Sequence, residues 1–250
     1  MAGHSHWAGI KHKKAANDAK RGKLWSKIAR LIIVAAKSGG GDPNQNLSLR
    51  YAIDKGKAAN MPKDTIEKAI KKGTGELGGA SYEEVLYEGY APGGVAVMVD
   101  ALTDNRNRTA PEIRKIFEKK GGSMGTSGCV SYMFSKKGLI IVNAAGVDED
   151  DLMELALGAG ADDMEKIEDV FEISCSPEVY AELKGALEDA GIALESAELS
   201  MMPDNTISVT DSETARKILD MVEMFEDQDD VQNVYSNFDI SDEIMEKLDR

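Results

Sequence analysis

Eight of the first thirty residues are cationic: Lys11, Lys13, Lys14, Lys20, Arg21, Lys23, Lys27 and Arg30, against one acid, Asp18. Cations at this density suit a polyanion. Each Lys or Arg set against a phosphate releases a condensed counterion, which gives strong, salt-dependent and sequence-tolerant binding. His4, His6 and His12 lie among them, with Trp7. Near-neutral imidazoles hydrogen-bond phosphates or ribose hydroxyls, and an indole stacks on an exposed base. The histidines lack a third fixed metal ligand, and Cys129 and Cys175 are remote in sequence, so no metal site is expected. Trp25 has two readings, base stacking or helix core, because it follows Leu24 at the edge of an apolar stripe.

A second constellation is Asp104, Asn105, Arg106, Asn107, Arg108 and Thr109, between a predicted strand end and a predicted helix start. Arg106 and Arg108 with interleaved amides can fork a phosphate or a guanine edge, and a helix N-terminus there adds its own preference for anions. The competing reading is a turn shaped by Asp104 and Asn105, with the arginines paired to local acids. The glycine-rich stretches 89–94 and 121–128 read chiefly as turns. The second holds a GxxG at 122–125 but lacks the GK[ST] of a phosphate-binding loop. No nucleophile–base pair, metal-ligand spacing or dinucleotide fingerprint is present, so no catalytic residue and no cofactor is expected, and a binding protein is the better reading.

Charge distribution sharpens this. The chain has a formal charge of -14, yet residues 1–72 carry 16 Lys and Arg against five Asp and Glu, a net +11, which leaves -25 on residues 73–250. One end is built to meet a polyanion and the body is not. The acids at 223–230 and 239–250 read as solvated surface, which could steer nucleic acid toward the basic end or dock a basic protein. The start carries early charges and no apolar core, so it does not read as a secretory signal. The longest apolar run, 31–36, is too short to span a bilayer. Two isolated cysteines suit a reducing compartment. A cytoplasmic protein without membrane contact is expected.

These residues need elements to position them. Residues 1–16 read as a basic flexible arm. Leu24, Ile28, Leu31, Ile32 and Ala35 fall at i, i+4, i+7, i+8 and i+11, which predicts a helix from about residue 17 that stops at the glycines of 39–41. Asn46 caps a second predicted helix, and Pro62 and Gly73 bound a third, with Gly73 read as the residue just past its end. Strands are predicted at 82–87, 95–102 and 130–134, with a helix at 111–120. Beyond 135, strands and helices spell βαββαβ, the ferredoxin-like plan, through 201. A strand at 206–209, a helix at 212–225 and a strand at 231–238 lack a core of their own, and are expected to finish the sheet opened at 82–134. The expected fold is therefore α+β: a small N-terminal helical domain (17–78) followed by two ferredoxin-like α/β domains. The last of these (135–201) is inserted in the middle one (79–134 plus 202–240), and an acidic tail follows at 241–250.

Eight sequence blocks bear a resemblance. MAGHSHW at 1–7, KHKKA at 11–15, RGKLWSK at 21–27, ANMP at 59–62, IKKG at 70–73, YEGYAPGGVAVMV at 87–99, LTDNRNRT at 102–109 and GGSMGTSGCVSYMF at 121–134 stand in order along the chain. Together they resemble the YebC family over essentially the whole chain. The resemblance implies a helical N-terminal domain and two ferredoxin-like domains. It implies cytoplasmic transcriptional regulators that bind DNA, while mitochondrial and some bacterial relatives are instead tied to translation on the ribosome. Nucleic acid, either DNA or ribosomal RNA and tRNA, is thus the expected partner, with the ribosome itself in the second case. A monomer is expected. The expected nucleic-acid-binding residues are His4, His6, Trp7, Lys11, His12, Lys13, Lys14, Lys20, Arg21, Lys23, Lys27, Arg30, Arg106 and Arg108.

Overall fold

A computed structural model describes residues 18–78, 81–167 and 169–248. Three helices come first: α1 (Asp18–Gly39), α2 (Leu47–Ala58) and α3 (Lys63–Gly73). Ile28, Ile32 and Ala35 of the predicted stripe are buried and close a core with Leu49, Ile53, Ile66 and Ala69. The stripe departs from expectation at one end, where Leu24 remains 43% exposed. Trp25 turns inward instead, and its Nε1 donates to the Ala59 carbonyl at 2.9 Å. A rigid apolar ring with a paired N–H is worth more to this core than a second leucine, so Trp25 is a packing residue.

Asn46 joins two of the helices. Its Oδ1 accepts from Leu49 N–H at 3.1 Å, capping α2, while its Nδ2 donates to the carbonyls of Ala35 (2.8 Å) and Gly40 (2.9 Å) at the end of α1. Asn46→Ala loses the cap of α2 and both hydrogen bonds to the end of α1. It is expected to cost about 2 kcal/mol, read as a lower urea midpoint at unchanged slope. Gly73 differs from expectation: it is the last residue of α3, where a Cβ would fall 2.5 Å from the Ile33 carbonyl oxygen. Its role is close approach of α3 to α1.

The same compact unit holds an antiparallel sheet. Strands β1 (Glu83–Tyr90) and β2 (Ala96–Thr103) pair along their whole length. Helix α4 (Arg106–Lys119) and the short β3 (Ser123–Met124) follow, and helix α7 (Ser212–Asp227) and strand β9 (Val231–Ser236) return to complete the unit. The sheet order is β3-β1-β2-β9. Phe117 of α4 meets Phe225 of α7 edge-on, with ring centroids 4.8 Å apart and both side chains buried.

A second unit comprises residues 131–210 and 237 onward. It runs β4 (Phe134–Asn143), α5 (Glu149–Gly158), β5 (Asp163–Ile167), β6 (Val170–Cys175), α6 (Tyr180–Asp189) and β7 (Leu194–Pro203). The order β5-β6-β4-β7, with every neighbour antiparallel, is the ferredoxin-like arrangement. Among the apolar residues of this unit, Ile140, Val142, Phe171, Ile173, Leu152 and Leu183 are buried.

Two strand expectations change. Residues 131–133 form a 3-10 turn, and Phe134 begins a ten-residue strand in the second sheet. Gly138 lies inside β4, where a Cβ would sit 2.6 Å from Cys175 Sγ and 2.7 Å from a Tyr180 ring carbon. The strand β8 (Ile207–Val209) does not join the first sheet. It pairs in parallel with β10 (Phe238–Ile240) inside the second unit. Residues Asp242–Leu248 form helix α8, with Ile244 buried.

Candidate nucleic-acid interface

His4, His6, Trp7, Lys11, His12, Lys13 and Lys14 lie outside the described residues. Lys20 and Arg21 fall within α1. The remaining predicted cations can be placed, and each has an acidic or carbonyl partner within the chain.

Lys23, Lys27 and Arg30 stand at i, i+4 and i+7, one row along α1. That row faces the C-terminal end of α7. Lys23 Nζ donates to the Asp227 carbonyl at 3.3 Å and lies 3.7 Å from its carboxylate. Lys27 Nζ donates to the Glu226 carbonyl at 2.6 Å. Arg30 donates to the Asp229 carbonyl and lies 3.3 Å from Asp230 Oδ1. The last carbonyls of a helix have no partner within it and carry the negative end of its dipole, so cations satisfy both needs. Burial pulls the Lys27 ammonium below its ordinary range, against the opposing charges of Glu226, Asp229 and Asp227.

Asp230 is the hub beneath this row. Its side chain is 3% exposed. Its Oδ2 accepts from Arg108 Nη2 at 2.7 Å and from Thr109 Oγ1 at 2.7 Å, and lies 3.2 Å from Thr103 Oγ1. Burial opposes ionisation, but the hydrogen bonds from Arg108 and Thr109, with the charges of Arg108 and Arg30, hold the carboxyl below the usual carboxylate range. Arg30 also lies 5.7 Å from the centre of the Tyr82 ring. The hub ties together α1, the end of β2 with the first turn of α4, and the segment between α7 and β9.

The 104–109 segment is therefore a turn and an anchor. Asn105 caps α4, accepting from Arg108 N–H at 3.2 Å, and Thr103 Oγ1 accepts from Asn105 N–H at 2.9 Å. Arg108 also reaches Asp104 at 3.0 Å. Arg106 is more open, 61% exposed, with Glu83 at 3.7 Å. Of the two arginines, only Arg106 retains a mostly exposed side chain.

Sequence reasoning missed Asp230, which sits among the acids read as solvated surface. Its signal is weak: one more Asp in an acidic run, about 200 residues from Arg30. It also passed over α3, where Lys68, Lys71 and Lys72 are exposed and form no ion pair among the described residues. They are the least encumbered cations of the helical region, since Lys57 and Lys63 pair with Asp54 and Glu67.

Two family domains account for this arrangement. The TACO1/YebC N-terminal domain matches residues 5–76, and the TACO1/YebC second and third domain matches residues 82–238. The chain belongs to the TACO1/YebC family. Its TACO1/YebC relatives include a probable transcriptional regulatory protein of Elusimicrobium minutum, 54% identical over 250 residues with both chains covered in full. Another, from Geobacter sulfurreducens, is 56% identical over 248 residues, covering 99% of this chain and 100% of the relative. The crystal structure of a conserved hypothetical protein from Aquifex aeolicus superposes with a TM-score of 0.87 at 53% identity, covering 96% of this chain and 99% of that one. The α+β fold with an N-terminal helical region is thus that of the TACO1/YebC family.

Within this TACO1/YebC chain, Cys129 and Cys175 are free thiols. Burial first, and then the neighbouring charges of Glu88 and Asp162 respectively, push both thiols up, which favours the protonated form. No group of three or more His, Cys, Asp or Glu among the described residues could hold a metal ion. No helix among them is long and apolar enough to cross a membrane.

Proposed function

We propose that this chain is a cytoplasmic, DNA-binding transcriptional regulator whose N-terminal 72 residues capture the phosphate backbone. The observation that carries this reading is the charge split, +11 on residues 1–72 against -25 on the rest. The names of the relatives, probable transcriptional regulatory proteins, support it. The arm residues His4, His6, Trp7, Lys11, His12, Lys13 and Lys14 make first contact, with Lys20 and Arg21 continuing the row into α1. Lys68, Lys71 and Lys72 extend the cationic surface on α3, and Arg106 supplies a single further fork. The acidic body repels the polyanion and so orients it on the basic end. The protein acts as a monomer and by binding, without catalysis.

Crosslinking in growing cells, followed by sequencing of both DNA and RNA bound to the protein, tests this. Enrichment at discrete promoter sites is expected. Enrichment of ribosomal RNA or tRNA with only background DNA would overturn it in favour of a translation factor. In vitro, replacing Lys11, Lys13, Lys14, Lys20 and Arg21 with Ala is expected to weaken duplex binding. The slope of log affinity against log salt should flatten by up to about 4.5, at about 0.9 per lost phosphate contact. An unchanged slope in fluorescence anisotropy titrations would remove the basic arm from the mechanism.

A further inference from the structure

The cation row of α1 is already seated on an anion. The C-terminal end of α7 and the two residues after it offer carbonyl oxygens together with the carboxylates of Asp227 and Asp229, which is the chemistry of a phosphate backbone. The two ends of the row differ. Arg30 is fixed, held by Asp230 in the buried hub with Arg108. Lys23 is 50% exposed and its partner Asp227 62% exposed, and a pair so open to water contributes little to stability. Lys27 lies between them and, among the described residues, bonds a backbone carbonyl and no carboxylate.

Resting on the nucleic-acid reading above, we propose that Lys23 and Lys27 form a phosphate-binding site for the nucleic-acid backbone. In the free protein the acidic end of α7 occupies that site. Nucleic acid displaces this internal substitute from Lys23 and Lys27 while Arg30 stays on Asp230 as the pivot. Affinity is thereby set by a competition within the chain, and raising salt loosens both contacts together.

A double-mutant cycle on the full chain tests this. The probes are a fluorescein-labelled 30-base-pair DNA duplex and a single-stranded RNA of equal length, titrated by anisotropy at several salt concentrations. Asp227→Asn with Asp229→Asn is expected to tighten binding about five-fold and to steepen the salt slope by up to about 2, because the carboxylate charge that holds the two lysines on α7 is gone and only backbone carbonyls still compete with phosphate. The gain must vanish when Lys23→Ala and Lys27→Ala are also present. Asp150→Asn with Asp151→Asn, an equal change of charge on α5, must leave the slope unchanged. A gain that persists without the two lysines would be plain repulsion between the acids and the probe, and would overturn the internal competition alone. Absence of binding by every form, at low salt and with both probes, would overturn the nucleic-acid reading and this site with it.

Discussion

Asp230→Asn is expected to lower the unfolding free energy by about 3 kcal/mol, far more than any neighbouring acid in 223–230. The carboxylate is buried and accepts from Arg108 and Thr109, with Arg30 at 3.3 Å. An amide keeps the shape but loses the charge, and presents N–H donors to a guanidinium that has none to receive them. The figure sits at the low end of losses for broken buried pairs, because the Arg108 side chain is 46% exposed and regains water when released. Asp227→Asn, at an open pair, is expected to cost less than about 0.5 kcal/mol. Urea unfolding of the two variants separates anchor from surface. The sign with pH follows from the depressed carboxyl. The stabilisation is fully present above the unfolded-state pKa of about 3.9 and is lost as pH falls through the lower folded value. The difference between wild type and Asp230→Asn should therefore be constant from pH 5 to 7 and shrink in acid. A pH-independent difference would place the stabilisation in packing, not in the ion pair.

The hub also explains what could be read from sequence and what could not. The apolar row of α1, the Asn46 cap and the βαββαβ order of residues 134–203 are local patterns. They repeat at 3.6 or 2 residues, or turn on one residue's hydrogen bonds, and so are visible in a linear string. Gly138 is not explained by any local pattern, since a glycine inside a strand is called for only where a neighbouring side chain needs the space. Here Tyr180 does, and it is 42 positions away. The parallel pairing of β8 with β10 is equally non-local, since three-residue strands carry no periodicity to reveal a partner. The cations of α1 were legible as a row, but not their seat on α7. Lys23, Lys27 and Arg30 look available to any polyanion until the fold brings Glu226, Asp227, Asp229 and Asp230 against them. Charge sign is local information; charge pairing is not. The same gap lets Arg108 read as a ligand fork when it is an anchor.

Glu172→Gln is expected to stabilise the protein, and to do so only above about pH 5. Glu172 is buried on β6, its Oε2 has no hydrogen-bond partner among the described residues, and it stands directly across from Glu165 of β5. Burial first, then the charges of Glu165 and Asp163, push its carboxyl up to about 7. Like charges set opposite each other in a ladder are unfavourable, and a buried carboxylate without donors is more so. A carboxyl raised in the folded state binds a proton that the unfolded chain, with a pKa of about 4.3, has already released. Stability is therefore full below about pH 4.3 and falls as pH rises through 7, by about 3–4 kcal/mol in all. Glutamine cannot ionise, so the variant should match wild type near pH 3.5 and exceed it by about 3 kcal/mol at pH 8. Urea midpoints across that range decide the matter. A variant no more stable than wild type at pH 8 would mean that Glu172 stays ionised at little cost. A gain equal at every pH would mean that glutamine simply packs better. The expected crossover alone assigns the cost to one proton on one buried carboxyl, in the central part of a sheet whose edge strand carries two further acids.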